Sequence, residues 1–294
     1  MAAAPTTIGT LFPTRPAPAA AETAPSRRLR VFDPRLYQIA ALSSLLVYGL
    51  LRLDLEVRPE RAALILGTVL AVQYACTRAW RLPAFDPRSA LISGLSLCLL
   101  LRTNGALLAL VGAVLAVGSK FVCRVRNKHV FNPTNFALVL LLLSGQAWVS
   151  PGQWGSAAFF GFLLVCLGGL VVNRAARSDV TVAFLLAYGG LVVGRSLWLG
   201  DAMAIPLHRL QNGALLIFAF FMISDPRTTP DSSAGRLAFA TVVALGAAYV
   251  QFRLFRTNGL LWSLFAASAL VPVLDRVLPG PRHEWPAQAR RRSA

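Results

Sequence analysis

Residues 89–119, SALISGLSLCLLLRTNGALLALVGAVLAVGS, contain two apolar runs joined by the polar turn Arg102-Thr103-Asn104-Gly105. Both runs lack charged residues, and the one charge of the stretch lies in the turn. Apolar helices joined by short polar loops are typical of bilayer proteins, because lipid neither hydrogen-bonds a backbone nor hydrates a charge. The stretch therefore predicts two helices of a polytopic membrane protein.

The same pattern continues over most of the chain. Of all residues, 56% are hydrophobic and 14% are charged, whereas soluble domains carry about a quarter charged residues. Several apolar segments are shorter than the ~20 residues that cross a ~30 Å hydrocarbon core, so these are tilted, flanked by buried loop or half-spanning. We predict an all-α fold of ten transmembrane segments at 37–51, 62–77, 89–101, 105–119, 134–149, 156–173, 179–194, 210–224, 237–252 and 258–274.

The predicted membrane domain, residues 37–275, is flanked by two tails. Residues 1–36 are rich in Ala, Pro and Thr with scattered Arg, a composition that buries too little surface to fold alone, and they lack the apolar core of a cleaved signal peptide. They are predicted to form a disordered cytoplasmic tail. Residues 276–294 are predicted to form a basic cytoplasmic tail.

Lysine and arginine are distributed unevenly between the loops. With the N-terminus inside the cell, 21 of the 29 lie in cytoplasmic segments and 8 in outer loops. This positive-inside bias predicts a multi-pass protein of the bacterial inner (plasma) membrane with both termini in the cytoplasm. The bias accounts for the net charge of +17, so we expect the lipid bilayer as a partner and no nucleic acid. The four cysteines and three histidines are dispersed, and no metal site is predicted.

Two short stretches recur at an offset of about 124 residues, which suggests an internal repeat. Ser89-Ala90-Leu91 matches Gly213-Ala214-Leu215, and Thr134-Asn135 matches Thr257-Asn258. Five segments per repeat, at about 37–149 and 156–275, would make the two halves an inverted pair. The third and eighth segments are both short and run into polar turns, which is typical of a buried binding site. Chance similarity between two apolar sequences is the alternative.

Neutral polar residues and aromatic rings accompany these broken segments. Amides and hydroxyls beside aromatic rings suit a planar, hydrogen-bonding heterocycle better than a small cation. Bridging between packed helices is the alternative use of the same residues. The residues concerned are Asn132, Thr134, Asn135, Gln211, Asn212 and Ser224, with Phe131, Phe136, Phe218, Phe220 and Phe221.

The polar stretches resemble a known family. Residues 128–135, KHVFNPTN, resemble the F-N-P signature of the RnfD/NqrB family, the flavin-bearing membrane subunits of the Rnf electron-transport complex and of the sodium-translocating NADH:quinone oxidoreductase. Residues 220–229, FFMISDPRTT, resemble the family's F-F-x-x-T-D-P-V-T, Asn212-Gly213-Ala214 resembles its S-G-A, and Gly235-Arg236-Leu237 resembles its G-R motif. Residues 86–94, DPRSALISG, resemble its third segment, and the likeness covers roughly residues 60–278.

The resemblance implies ten helices in two inverted halves and flavin-linked electron transfer with other redox or membrane subunits. In that family an FMN is attached to a threonine of an S/T-x-A-T motif, in a long outer loop between the fifth and sixth segments. Here that loop is about Ser150–Gly155 and lacks the motif, and the nearest string, residues 178–181 (SDVT), lies on the predicted inner side. We therefore expect a noncovalent flavin, FMN or riboflavin.

Two functions follow. In the first, the protein is an electron-transport subunit, a redox component of an oxidoreductase complex, that holds a noncovalent flavin. In the second, it is a transporter or an accessory membrane protein of a biosynthetic (natural-product) pathway, and the inverted-repeat pocket takes a neutral solute. Asp225 has the alternative role of bracing a turn, and Arg227 that of binding a flavin phosphate. The candidate cofactor-binding residues are Phe131, Asn132, Thr134, Asn135, Asn212, Asp225, Arg227 and Thr228.

Overall fold

The computed structural model describes residues 33–52, 57–126, 128–150 and 158–283. Of the tails predicted at 1–36 and 276–294, residues 1–32 and 284–294 lie outside the described residues. The described chain is mostly helical. Its elements are α1 (Pro34–Arg52), α2 (Pro59–Ala79), α3 (Arg88–Leu100), β1 (Leu101–Thr103), α4 (Ala106–Val122), β2 (Arg124–Val125), β3 (Lys128–His129), α5 (Pro133–Leu142), β4 (Ala147–Val149), α6 (Ala158–Arg174), α7 (Ser178–Leu199), α8 (Ala204–Leu210), α9 (Gly213–Ile217), a π-helix (Phe218–Met222), α10 (Ser233–Phe252), α11 (Gly259–Ser268) and α12 (Val271–Val277).

Within the described residues, α2, α7 and α10 are long and apolar enough to cross a membrane. The pair α11 and α12, bent by 51°, passes the same test as one broken span. The other apolar helices are shorter, among them α3, α4, α5 and α9 with its π-helical extension. Each of the ten predicted segments contains a described helix, and the prediction of ten crossings stays a prediction.

The fifth predicted segment, 134–149, was wrong as a continuous helix. Helix α5 ends at Leu142, and Gly145 adopts a left-handed conformation with φ of 69°, which glycine reaches without a steric cost. Residues 147–149 then form β4, which pairs antiparallel with β1 so that Trp148 lies opposite Arg102. Pairing of two short strands satisfies backbone groups that a broken helix leaves open.

Polar contacts divide between the two ends of the helices. One end carries the β1–β4 ribbon and the loops at 101–105, 144–150, 200–212 and 253–258; we call it the hairpin face. The other carries the start of α1 and the segments at 80–87, 123–126, 128–132, 223–232 and 278–283; we call it the terminal face. Ion pairs hold the terminal face together: Lys128 Nζ lies 3.0 Å from Asp231 and 2.7 Å from Asp275, and Arg35 bonds Asp33 and Asp86.

The order of helix packing in one half of the chain recurs in the other. In the first half α1 packs on α3, α2 on α4, and α4 on α5. In the second half α6 packs on α9 and the π-helix, α7 on α10, and α10 on α11. Between the halves, α1 packs on α6 and α5 on α11.

The π-helix packs closely against α6. An added Cβ at Gly168 would lie 2.5 Å from Cγ and 2.8 Å from Cβ of Phe220, closer than side chains approach. These atoms lie next to the backbone of Phe220, so they cannot swing aside as the end of a long side chain does. Phe218, two residues before Phe220 in the π-helix, packs on Phe184 with ring centroids 5.1 Å apart.

Gly168→Ala should displace the π-helix and lower the free energy of unfolding by about 1–3 kcal/mol, as overpacking does. Gly169→Ala is the matched control, because nothing lies within 4 Å of its added Cβ and alanine favours a helix by up to ~1 kcal/mol. Thermal unfolding of the two variants in mild detergent measures the difference. Equal midpoints would contradict the close packing of α6 on the π-helix.

Candidate functional site

The residues after the π-helix form a tight, hydrogen-bonded turn at the terminal face. The main-chain oxygen of Asp225 accepts bonds from the N–H groups of Thr228 and Thr229, both at 3.1 Å, and from their hydroxyls. The side-chain Oδ1 of Asp225 accepts a bond from the N–H of Arg227 at 3.0 Å. Asp225 and Thr228 therefore brace this turn, which is one of the roles considered from the sequence.

The start of α5 is tied to this turn through Asn132. Its Oδ1 accepts a bond from the N–H of Asn135 at 3.1 Å and so caps α5. Its Nδ2 donates to the main-chain oxygen of Met222 at 3.3 Å and, at 3.5 Å, to Oδ2 of Asp225. Asn132 thus fixes the beginning of one broken segment against the end of the other.

A cavity of about 80 Å³ lies at this junction. Asn132, Thr134, Asp225 and Arg227 line it, so the structure brings these four predicted residues together. A water occupies about 30 Å³ and ligand pockets measure about 300–1,000 Å³, so the cavity has room for a few waters. Whether a flavin binds at these residues stays a prediction. The remaining lining residues are Arg35, Gln38, Ser89, Ile92, Ser93, Ser96, His129, Pro133, Phe221 and Pro226.

The other predicted residues have different surroundings. Phe131 stacks on Phe265 of α11 with ring centroids 4.7 Å apart. Asn135 is fully buried and donates from Nδ2 to the main-chain oxygen of Leu261 at 3.2 Å, while its Oδ1 has no partner among the described residues. Asn212 caps α9 by accepting bonds from Ala214 and Leu215. Asn212 lies at the start of α9, at the hairpin face. The structure does not bring it together with the other candidate cofactor-binding residues.

Lys120 was counted from the sequence only as an inner-side charge. It lies in the last turn of α4, is 3% exposed, and donates from Nζ to the main-chain oxygen of Ser89 at 2.7 Å. Burial raises the pKa of Asp225 above its ordinary value, while the hydrogen bond and charge of Arg227 and the charge of Lys120 oppose that rise. Burial, with Arg227 and Arg124 nearby, lowers the pKa of His129 to about 3, so this imidazole stays neutral.

A much larger cavity, of about 730 Å³, opens at the hairpin face. It lies between the first half, which contributes Leu100 and Trp148–Ser150, and the second half. The residues that precede α9 and α11, Asn212 and Asn258, both line its wall. Its other lining residues are Tyr188, Arg195, His208, Arg209, Ala214, Leu215, Phe218, Met222, Gln251, Phe252, Phe255, Arg256, Thr257, Gly259, Leu260 and Leu261.

This hairpin-face cavity is cationic and aromatic. The guanidinium carbons of Arg195 and Arg209 lie 4.5 and 5.4 Å from the centre of the Phe252 ring. In the part of the chain that the structure describes, no carboxylate forms an ion pair with either of them or with Arg256, and none lines the cavity. Sequence reasoning missed these residues because it counted them only as outer charges; their spacing along the chain gave no signal.

The two cavities are lined by neighbouring residues of the π-helix. Phe221 lines the small terminal-face cavity, and its neighbour Met222 lines the hairpin-face cavity. Asn132 bonds the main chain of Met222 and reaches Asp225. The π-helix therefore contributes to the walls of both cavities, and π-helical turns often occur at functional sites.

Residues 150–282 match the sequence profile of the NQR2, RnfD, RnfE family. The chain is also similar to the D subunit of the ion-translocating oxidoreductase complex of Yersinia pseudotuberculosis and of Klebsiella pneumoniae, at 28% identity, and of Citrobacter koseri, at 27%. Each alignment covers 136 residues, 46% of this chain and 36% of the relative. The family resemblance seen in the sequence is confirmed, although Phe131-Asn132-Pro133 lies outside the profile match.

Asn132→Ala should destabilise the protein more than Asn212→Ala, because both lose a helix cap worth about 1 kcal/mol but Asn132 also loses its bonds to Met222 and Asp225, worth about 1–3 kcal/mol. Asn212→Ser is expected to keep most of its cap. Unfolding midpoints in mild detergent rank the three variants. A smaller effect for Asn132→Ala than for Asn212→Ala would contradict the linking role of Asn132.

Proposed function

We propose that this chain, which resembles the NQR2, RnfD, RnfE family over residues 150–282, is a membrane-embedded electron-transport subunit that works with partner subunits. The relatives are named as components of an ion-translocating oxidoreductase complex, and the chain aligns with just over a third of their length. The observation that carries the proposal is that the matched residues build most of the wall of the hairpin-face cavity. Electron donor and acceptor come from the partners.

In this proposal the membrane domain, residues 37–275, consists of two inverted halves of five segments each. The recurring order of helix packing supports it, with α6, α7, α9, α10 and α11 as the counterparts of α1 to α5. The short helices α3 and α9 begin at corresponding places, one residue before Ser89 and at Gly213. They are followed at the same offset by Arg102-Thr103 and Arg227-Thr228. The terminal face, which carries the predicted inner loops, then faces the bacterial cytoplasm.

The hairpin-face cavity, rather than the predicted terminal-face residues, suits a noncovalent flavin. Its 730 Å³ lies within the range of cofactor pockets. Phe218 and Phe252 offer faces for a planar ring, and Asn212, Asn258 and Gln251 offer amides for its polar edge. Ser150, where the family's outer loop would begin, also lines the cavity. Bound here, a flavin would supply a centre that accepts and releases electrons.

The basic side chains of the cavity suit the flavin's phosphate. Arg195, Arg209 and Arg256 present guanidinium groups without a carboxylate partner among the described residues, and guanidinium forks bind phosphate well. The start of α9, whose N–H groups are partly capped by Asn212, adds to the positive potential. We therefore propose that FMN binds more tightly than riboflavin.

The first test is the visible absorption spectrum of the protein purified in mild detergent, repeated on the supernatant and pellet after acid precipitation. We expect flavin bands that move to the supernatant, since no covalent attachment motif occurs in the sequence. Flavin retained in the pellet would show a covalent link instead. A colourless protein that takes up neither FMN nor riboflavin on reconstitution would overturn the flavin proposal.

Arg209→Met should weaken FMN binding about tenfold or more, because a charge-assisted bond to phosphate contributes about 1.5–3 kcal/mol, and should change riboflavin binding little. Arg253→Met is the matched control, since Arg253 is an exposed residue of the same face that does not line the cavity. Titrations followed by flavin fluorescence give both affinities. Equal losses for FMN and riboflavin would contradict a phosphate site at Arg209.

A second function, transport or an accessory role in a biosynthetic pathway, is favoured by one observation. A cavity of about 730 Å³ lies at one end of the helices and one of about 80 Å³ at the other, and neighbouring residues of the π-helix line both. Inverted-repeat transporters expose a site to alternate sides in this way. Solute flux through vesicles that carry a colourless protein would support this function over electron transport.

A further inference from the structure

A third cavity, of about 210 Å³, lies at the terminal face beside α12. Residues of the β2–β3 ribbon line one side of it, and residues of α12 together with Asp231 line the other. Its volume is that of about seven waters, smaller than the pockets of about 300–1,000 Å³ that hold drug-sized ligands. We call it the α12 cavity. Its charged lining residues are Arg126, Lys128, Asp231, Asp275, Arg276 and Arg282.

The two carboxylates of the α12 cavity are already engaged within the protein. Lys128 Nζ lies 3.0 Å from Oδ1 of Asp231 and 2.7 Å from Oδ2 of Asp275. The other carboxylate oxygen of Asp275 accepts a bond from the main-chain N–H of Asp231 at 2.8 Å. Because charge-assisted bonds of this kind are strong, these carboxylates have little left to offer a cationic ligand.

The three arginines of the α12 cavity are differently placed. Among the described residues, no carboxylate lies within ion-pair distance of Arg126, Arg276 or Arg282. Arg282 donates from Nη2 to the main-chain oxygen of Arg126, which ties these two residues together. The four basic side chains of the cavity outnumber its two carboxylates, so the cavity is cationic. Guanidinium groups bind phosphate well.

The α12 cavity also borders a surface that suits lipid. Val125 and Pro272 line it beside the arginines. On α12, Val273 and Val277 each follow a lining residue, Pro272 and Arg276, and they are 53% and 69% exposed. Exposed valines at the end of a membrane helix can contact acyl chains, whereas a soluble anion makes no use of them. Basic pockets between helices on the cytoplasmic side are typical sites for anionic headgroups.

We propose that the α12 cavity binds the phosphate headgroup of an anionic phospholipid. The phosphate accepts bonds from Arg126, Arg276 and Arg282, and the acyl chains lie along the exposed valines of α12. A zwitterionic lipid carries an ammonium group as well, which the arginines repel and which finds both carboxylates held by Lys128. This site goes beyond the proposed function, because it needs neither a flavin nor electron transfer.

A lipid in the α12 cavity would join the two halves of the chain. The β2–β3 ribbon belongs to the first half, whereas Asp231 and α12 follow the π-helix in the second. The ion pairs of Lys128 already connect them, and a phosphate shared by Arg126 and Arg276 adds a further connection. A ligand that binds only the folded protein stabilises it in proportion to the logarithm of its concentration once the site is nearly full.

The test is the thermal unfolding midpoint of the delipidated full-length protein in mild detergent, titrated with dioleoylphosphatidylglycerol or dioleoylphosphatidylcholine in mixed micelles. Phosphatidylglycerol should raise the midpoint at a lower mole fraction than phosphatidylcholine does. Equal curves for the two lipids would overturn the inference. An equal rise with inorganic phosphate at the same concentration would overturn it too, because the cavity would then bind a soluble anion.

Arg276→Gln should shift the phosphatidylglycerol curve to about tenfold higher lipid, because a charge-assisted contact with phosphate is lost. Arg78→Gln is the matched control and should leave the curve in place. Arg78 is an exposed arginine in the last turn of α2, at the same face, and does not line the α12 cavity. Equal shifts in the two variants would reveal general attraction to anionic micelles and contradict a specific site.

A second variant covers the case in which Arg276→Gln does not fold. Arg126 follows β2 in a left-handed conformation, with φ of 50°, which asparagine tolerates. Arg126→Asn therefore keeps the turn and should shift the curve in the same direction, and an unchanged curve would count against the site. In native mass spectra the unmodified protein should retain phosphatidylglycerol at collision energies that remove phosphatidylcholine. Loss of both lipids together would overturn the inference.

Discussion

The hydrogen bonds of Asn132 link the two broken segments on which both cavities depend. In a bilayer, a helix that stops short leaves backbone groups that must find partners within the protein. Asn132 satisfies one at the start of α5 and another at the end of the π-helix, on the main chain of Met222. The same amide reaches the carboxylate of Asp225. The structural junction and the polar site are therefore the same set of atoms.

The two faces have a similar arrangement of helices but differ in the space that their side chains leave. At the terminal face, long side chains such as Arg35 and Arg227 enter the junction, and the space left is that of a few waters. At the hairpin face, Arg195 and Arg209 lie over the Phe252 ring, and a cavity of about 730 Å³ remains. Side-chain packing, rather than the path of the backbone, thus decides which end has room for a ligand.

Ion pairing follows the same division. At the terminal face acidic residues accompany the basic ones, and pairs such as Lys128 with Asp231 and Asp275 join separate loops. Around the hairpin-face cavity, Arg195 and Arg209 lie against the Phe252 ring, and no carboxylate among the described residues lines the cavity. Paired charges stabilise the junction of the loops, whereas guanidinium groups without a carboxylate partner among the described residues can bind an anionic ligand. The net charge of the chain conceals this difference.

The sequence by itself determined the membrane class, the position of the apolar segments, the family resemblance and the junction residues Asn132, Thr134, Asp225 and Arg227. These follow from local properties: composition, the length of apolar runs, and motifs read within a few residues. It misplaced the end of the fifth segment, because β4 forms only by pairing with the distant β1. It also grouped Asn212 with Asn132, because both are neutral polar residues beside short apolar segments. Only the tertiary structure decided that α9 and the π-helix run from one face towards the other, and that Arg195, Arg209 and Arg256 meet around one cavity. Such distances depend on how helices far apart in the chain pack, which no local pattern records.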